Sequence, residues 1–248
     1  QAEQALWEQF TRLDEDVAAL RAKIEKAEAQ LRRLYCAKPV SEPLLTHKTA
    51  PLPPAGYTLI AADGSQIVPN RHRPVQFGVI NVGLIQARLG SGNPPEVSIQ
   101  STLLDPEELL NPEGNLIGED EVALYRDFAE RRALLEAALA AQAPVIALTD
   151  GLLDIYQQYS APQLNFQADM RKIHQQLEAR GVISAGYIDK PGAEMLSRML
   201  DLLHTPEMDL ITYDDQKRSL RGISDARLLA KLLKEPGERS AVFETVSK

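Results

Sequence analysis

The chain has 248 residues, 44% of them hydrophobic and 25% charged, with a net charge of −8. That is ordinary for a globular protein with a sizeable core, and the negative balance argues against a broadly basic nucleic-acid binder while leaving room for a local basic groove or for metal ions that meet phosphate. The single cysteine, Cys36, excludes an internal disulfide and a cysteine-rich metal site and fits a reducing cytoplasm, and no apolar run approaches the ~18 residues that span a bilayer, so no membrane role is expected.

Residues 1–36 place Leu6, Phe10, Leu13, Val17, Leu20, Ile24, Ala27, Leu31 and Leu34 at alternating spacings of four and three. This a/d seam predicts a long N-terminal helix over 1–38. It is either an amphipathic helix packed on its own domain or a coiled coil with a second chain. Residues 39–56 hold five prolines and predict an extended connector. A globular domain is then expected over 57–248.

Within it, Tyr57–Ala62 reads as a strand, and Val75–Leu89 as a long strand with bends at Gly78 and Gly83. Glu96–Leu104 returns as its hairpin partner. Glu119–Gln142 is rich in Ala, Leu, Glu and Arg and predicts one long helix, followed by the buried strand Val145–Thr149. Gln163–Arg180 is a helix closed by Gly181, Val182–Asp189 a strand stopped by Pro191, and Ala193–His204 and Ser224–Lys234 are helical. Three neighbouring strands and then alternating helices and strands predict an α/β fold, a mixed sheet flanked by helices.

Two of these strands end on the same pair: "LIAADGSQI" (Leu59–Ile67) and "VIALTDGLL" (Val145–Leu153) each run into Asp-Gly. In an open α/β sheet the carboxyl ends of the strands face a common crevice. Asp63 and Asp150 would meet there, and two bare carboxylates repel unless a cation joins them. Oxygen-only donors favour Mg²⁺ or Mn²⁺. The plain alternative is that Asp-Gly is a common turn pair.

A third carboxylate follows from geometry. Six strand residues cover ~20 Å, a length matched by ~13 helical residues. Counting back from Gln142 arrives at Ala129, beside Glu130, which is the best candidate, with Asp127 and Glu136 as fallbacks. Arg71, His72 and Arg73 follow the first Asp-Gly, and Arg131 and Arg132 adjoin Glu130; these are phosphate contacts or solvated charges.

The set "AADGSQIVPNRH…FGVINVGLI", "VIALTDGLL", "GVISAGYIDKP" and "SDARLLAKLLKEPGERSAVF" resembles the NurA family of DNA-repair nucleases over Tyr57–Phe243. The resemblance implies an RNase H-like fold and a metal-dependent nuclease that prefers Mn²⁺ (or Mg²⁺); phosphodiester cleavage itself calls for two such ions. It further implies 5′ to 3′ degradation of DNA, cutting of single strands, and a homodimer docked on a HerA-type hexameric ATPase during end resection. Asp63 and Asp150 match the family's aspartates, and Glu130 stands for its glutamate. Ser65 and Gln66 are expected to position the scissile strand, beside Arg71, His72 and Arg73.

Family members continue past "GERS..F" to a histidine that completes the metal site, so the nuclease domain is expected to be C-terminally incomplete here. His72 adjoins the first motif, whereas His47, His174 and His204 read as ordinary surface or capping residues. Two competitors remain. A haloacid-dehalogenase-type phosphatase needs an aspartate where Ala61 stands. A non-catalytic dimeric adaptor would use the Asp-Gly turns as scaffold. No Walker-type phosphate loop is present, so any ATP use falls to a partner.

Overall fold

Ile60 and Ala62, Ile80 and Val82, and Val145 and Ala147 are buried while their neighbours are less so. This period of two gives each strand one core face. The computed structural model describes residues 2–13, 16–51, 56–153, 163–206, 213, 218 and 221–248. In chain order they form α1 (Ala2–Arg12), α2 (Val17–Gln30), β1 (Tyr35–Pro39), β2 (His47–Thr49), β3 (Thr58–Ile67), β4 (Val79–Arg88), β5 (Glu96–Leu103) and α3 (Glu119–Ala140). There follow β6 (Val145–Asp150), α4 (Gln163–Ala179), β7 (Ile183–Tyr187), α5 (Met195–His204), α6 (Asp225–Leu229), β8 (Glu238–Ser240) and β9 (Phe243–Ser247). Two units result, one of Pro53–Asp189 and one of Gln1–Leu52 with Lys190–Lys248.

The unit Pro53–Asp189 is built on a five-stranded sheet in the order β5-β4-β3-β6-β7. β3, β4 and β5 pair antiparallel, while β3–β6 and β6–β7 are parallel. This is the mixed α/β sheet expected. Its core face packs on Val122, Leu134, Leu135 and Ala138 of α3 and on Ile173 and Leu177 of α4. Both helices cover the same face. The other face presents Ile85, Val97, Ile99 and Tyr187 to solvent. Among the described residues, no helix is long and apolar enough to cross a membrane.

One strand differs from its sequence pattern. β3 does not stop at Ala62; it stays paired with β4 from Thr58↔Arg88 to Ile67↔Val79. Its parallel ladder to β6 does end there, at Ala62↔Thr149. The first Asp-Gly therefore lies inside a strand, at the level where one neighbour is lost.

In the other unit the heptad run makes two helices rather than one. The Asp16 carboxylate accepts from Ala18 N at 2.9 Å and caps α2, and Leu31 turns extended at φ −83° and ψ 144°. The seam residues Leu6, Phe10, Leu20, Ile24, Ala27, Leu31 and Leu34 are buried in this unit's own core with Leu196, Met199, Leu200 and Leu203 of α5. The seam closes within the chain, as in the own-domain alternative. The proline-rich stretch is not a bare connector either: it begins on Pro39, the last residue of β1, which pairs with β9, and it contains β2, which pairs with β8. Those long-range ladders carry residues 190–248 to the N-terminal unit.

Candidate active site

The ladder between β3 and β6 sets Ala61 beside Leu148 and Ala62 beside Thr149, so Asp63 and Asp150 come next on adjacent strands. Alternation points both to the face opposite buried Ala62 and Thr149. Past this level the two strands are no longer paired, and the gap between them opens. Both aspartates line a crevice of about 350 Å³, together with Gly64, Arg126, Asp127, Glu130 and Arg131. Gly151 (φ +85°) then turns the chain sharply, in the left-handed region glycine favours.

Glu130 reaches this crevice from α3. Its residue is only 7% exposed, and burial pushes its carboxyl up to about 7; Arg126 pulls the other way, and Asp127, Asp63 and Asp150 add to the rise. Arg126 Nε lies 3.2 Å from Glu130 Oε1 and its Nη2 lies 2.8 Å from Asp127 Oδ1. Arg126 keeps its charge despite burial because these two carboxylates and Asp63 surround it. Gly64 makes the approach possible. A Cβ there would stand 2.5 Å from Glu130 Oε1 and 2.7 Å from Arg126 Cγ. The glycine of the first Asp-Gly pair thus makes room for a helix side chain and does not turn the chain.

The two fallbacks separate. Asp127 lines the crevice but is paired with Arg126. Glu136 is exposed and pairs with Arg132 at 3.4 Å.

The basic pair after Glu130 splits as well. Arg132 is exposed, whereas Arg131 is only 8% exposed. Arg131 Nη2 donates to the Leu152 carbonyl at 3.0 Å and Nη1 to His174 Nε2 at 3.3 Å. Arg131 is therefore a buried strut between α3, α4 and the segment after Asp150. Since guanidinium only donates, His174 Nε2 accepts and the ring is neutral. Burial and then the Arg131 charge lower the His174 pKa. His174, expected to be an ordinary surface histidine, is half-buried.

Of the expected DNA contacts, Ser65 is exposed and its hydroxyl accepts from Asn81 Nδ2 at 3.1 Å. Gln66 is half-buried, and its Oε1 is buried without a hydrogen-bond partner among the described residues. Arg71, His72 and Arg73 are exposed in the β3–β4 loop, where Asn70 Oδ1 accepts from His72 N at 2.9 Å. That loop follows Ile67, four residues beyond Asp63, at the same end of the sheet. His47 and His204 lie in the other unit.

Among the described residues, no three His, Cys, Asp or Glu side chains are drawn together tightly enough to hold a metal ion. The donor chemistry nevertheless suits a hard cation: Asp63 of β3, Glu130 of α3 and Asp150 of β6 line one crevice, and Glu130 carries a penalty for being charged that positive charge relieves. Arg126 supplies part of that charge here. Its spacing from Glu130, four residues on one helix, was readable in the sequence as an ion pair; its position over Gly64 was not.

As a sequence, residues 57–248 match the NurA domain family. Among solved structures, the chain is similar to the NurA nuclease from Sulfolobus solfataricus, at 13% identity and a TM-score of 0.32, over 90% of this chain and 66% of that one. It thus spans about two thirds of that protein's length. It is also similar to LC9-RNase H1, a type 1 RNase H with the type 2 active-site motif, at 13% identity and a TM-score of 0.31, over 58% of this chain and 68% of that one. A third likeness is the foamy viral protease-reverse transcriptase in complex with dsDNA, at 12% identity and a TM-score of 0.30, over 65% of this chain and 94% of that one. No curated protein sequence matches the chain.

Proposed function

Since the chain belongs to the NurA family, we propose that it is a metal-dependent deoxyribonuclease acting through Asp63, Glu130 and Asp150. The observation that carries this reading is the buried Glu130 carboxyl, raised to about 7 by burial and by its acidic neighbours, in the crevice lined by both aspartates. Perturbed acids in clefts are candidate functional groups.

The three carboxylates would hold Mn²⁺ or Mg²⁺, in one or two ions. When bound, such ions neutralise phosphate charge and activate water for in-line attack. The chain's own residues prepare for this. Gly64 admits Glu130, Arg126 holds it near the aspartates, and Arg131 anchors the backbone just beyond Asp150. The exposed Arg71, His72 and Arg73 would take backbone phosphates, and Ser65 and Gln66 would steady the scissile strand.

The finer reading is that of a cytoplasmic homodimer that degrades DNA 5′ to 3′ and cuts single strands. It would work in double-strand-break end resection beside a HerA-type hexameric translocase, with the nuclease domain spanning 57–248. A non-catalytic adaptor is the second reading, favoured by the lack of a tight three-carboxylate cluster among the described residues. Linear duplex and single-stranded DNA with Mn²⁺ decide between them. Wild type should cleave and Asp63→Ala should lose at least ~100-fold while folding normally, since Asp63 is exposed. Unchanged cleavage by Asp63→Ala overturns the assignment.

A further inference from the structure

We infer that the open face of the sheet beside Asp63 and Asp150 is a binding site for one unstacked nucleobase of a single DNA strand, with Tyr187 as its stacking platform; this rests on the nuclease reading above. The sheet register places the parts. Ile99 pairs with Gly83, and Gly83 with Asp63. On the other side Asp150 pairs with Tyr187. One row across the five strands is thus Ile99, Gly83, Asp63, Asp150, Tyr187. The row beneath it is Val97, Ile85, Ala61, Leu148, Ala185. A hollow of about 560 Å³ lies over these rows, within the ~300–1,000 Å³ common for small-ligand sites.

Its chemistry is divided. The charged groups that line it are the two aspartates, both at the level of the cleavage site, and the rest of the lining is apolar or small apart from Thr149 and the Tyr187 hydroxyl. Such a surface takes the flat apolar face of a base and leaves the phosphate at the acidic rim. In a duplex the base faces are covered by their neighbours, so only a splayed strand can enter. Ile99 is 75% exposed, Val97 68% and Tyr187 60%, an aromatic and aliphatic surface continuous with the catalytic crevice through Asp63 and Asp150, which line both hollows.

The backbone that carries the platform is held in place. Gly151 N donates to the Tyr187 carbonyl at 2.7 Å, and a Cβ on Gly186 would collide with the Gly151 carbonyl oxygen. The Tyr187 backbone is therefore tied to the turn that follows Asp150. Gly83 leaves the centre of the hollow empty although the fold does not need a glycine there. A Cβ would meet only the Asp63 carbonyl oxygen, at 3.5 Å.

The test uses the full chain with Mn²⁺ and single strands carrying one tetrahydrofuran abasic residue at successive positions. For wild type, an abasic residue at one position relative to the cut should lower kcat/KM about tenfold. Tyr187→Phe, which keeps the ring, should retain the abasic penalty at the same position. Tyr187→Ala should cut the intact strand about tenfold more slowly and show no further abasic penalty. A second readout needs no cleavage: strands with 5-iodouracil, irradiated in Ca²⁺, should cross-link to Tyr187. Cleavage with equal rates on abasic and intact strands and no cross-link at Tyr187 overturns the base site and leaves the nuclease reading standing. A cross-link at Tyr187 without cleavage of any strand sinks the nuclease reading and keeps the base site. Should Tyr187→Ala change the oligomeric state and leave the cleavage rate and the abasic penalty as in wild type, the face joins two copies of this chain and the inference fails.

Discussion

Glu130→Gln removes a buried ionisable group at the centre of the crevice and keeps its shape, so its effect on stability can be worked out with sign. The carboxyl has its ordinary value of 4.5 in the unfolded chain and about 7 in the folded one. Between these values the folded protein binds more protons, so stability falls as pH rises through the window and the full cost is present above about 7. At ~1.4 kcal/mol per pH unit the window corresponds to at most ~3 kcal/mol. Water reaching the crevice screens the charge, which brings the expected cost to ~1–2 kcal/mol.

Urea denaturation in EDTA at pH 4.5 and pH 8 measures it. Wild type should lose ~1–2 kcal/mol more than Glu130→Gln across that interval, and the variant should be the more stable protein at pH 8. Titrating groups far from the crevice cancel in the difference. Parallel pH profiles for the two proteins would show that Glu130 is not charged at a penalty in this crevice, and the chief support for the carboxylate site would go with it.

Gly64→Ala should destabilise the protein by ~1–3 kcal/mol and suppress cleavage, because its Cβ falls on Glu130 Oε1 and Arg126 Cγ. Gly83→Ala, whose Cβ meets only ordinary contact, should fold as wild type by thermal melting. Arg131→Met should let the His174 pKa, followed by NMR, rise toward its ordinary value while burial still holds it below. An unmoved histidine would separate the two side chains. In the other unit, the Asp225 carboxylate accepts from Met195 N at 2.8 Å and Leu196 N at 2.9 Å, serving the N-terminus of α5. Asp225→Ala should therefore cost ~1–2 kcal/mol. Burial raises Asp225 from 3.8 to about 6, so its contribution is larger below pH 4 and declines as pH rises through that window.

Much of this protein was legible in its one-dimensional pattern. Alternation at Ile60 and Ala62, the glycine-marked hairpin, the helix-rich composition from Glu119 and the closing Gly181 are local properties, and they determined which segments form the strands and helices of the sheet, though not where β3 ends or β4 begins. Asp63 and Asp150 stood out because strands that run into carboxylates expose them at a sheet end. A length count along α3 pointed at Glu130. Tertiary structure decided what no window of sequence contains. β1 pairs with β9 across some two hundred residues, so the N-terminal seam that reads like a coiled coil is closed by α5 of the same chain. Asp-Gly looks the same in both strands. Gly64 remains in the ladder because β4 continues beside it and α3 needs its missing side chain, while Gly151 turns. Hydrophobic periodicity reports which face of an element is buried, but not which distant element buries it. The burial of Arg131 and the alignment of Tyr187 with Asp150 are of that second kind.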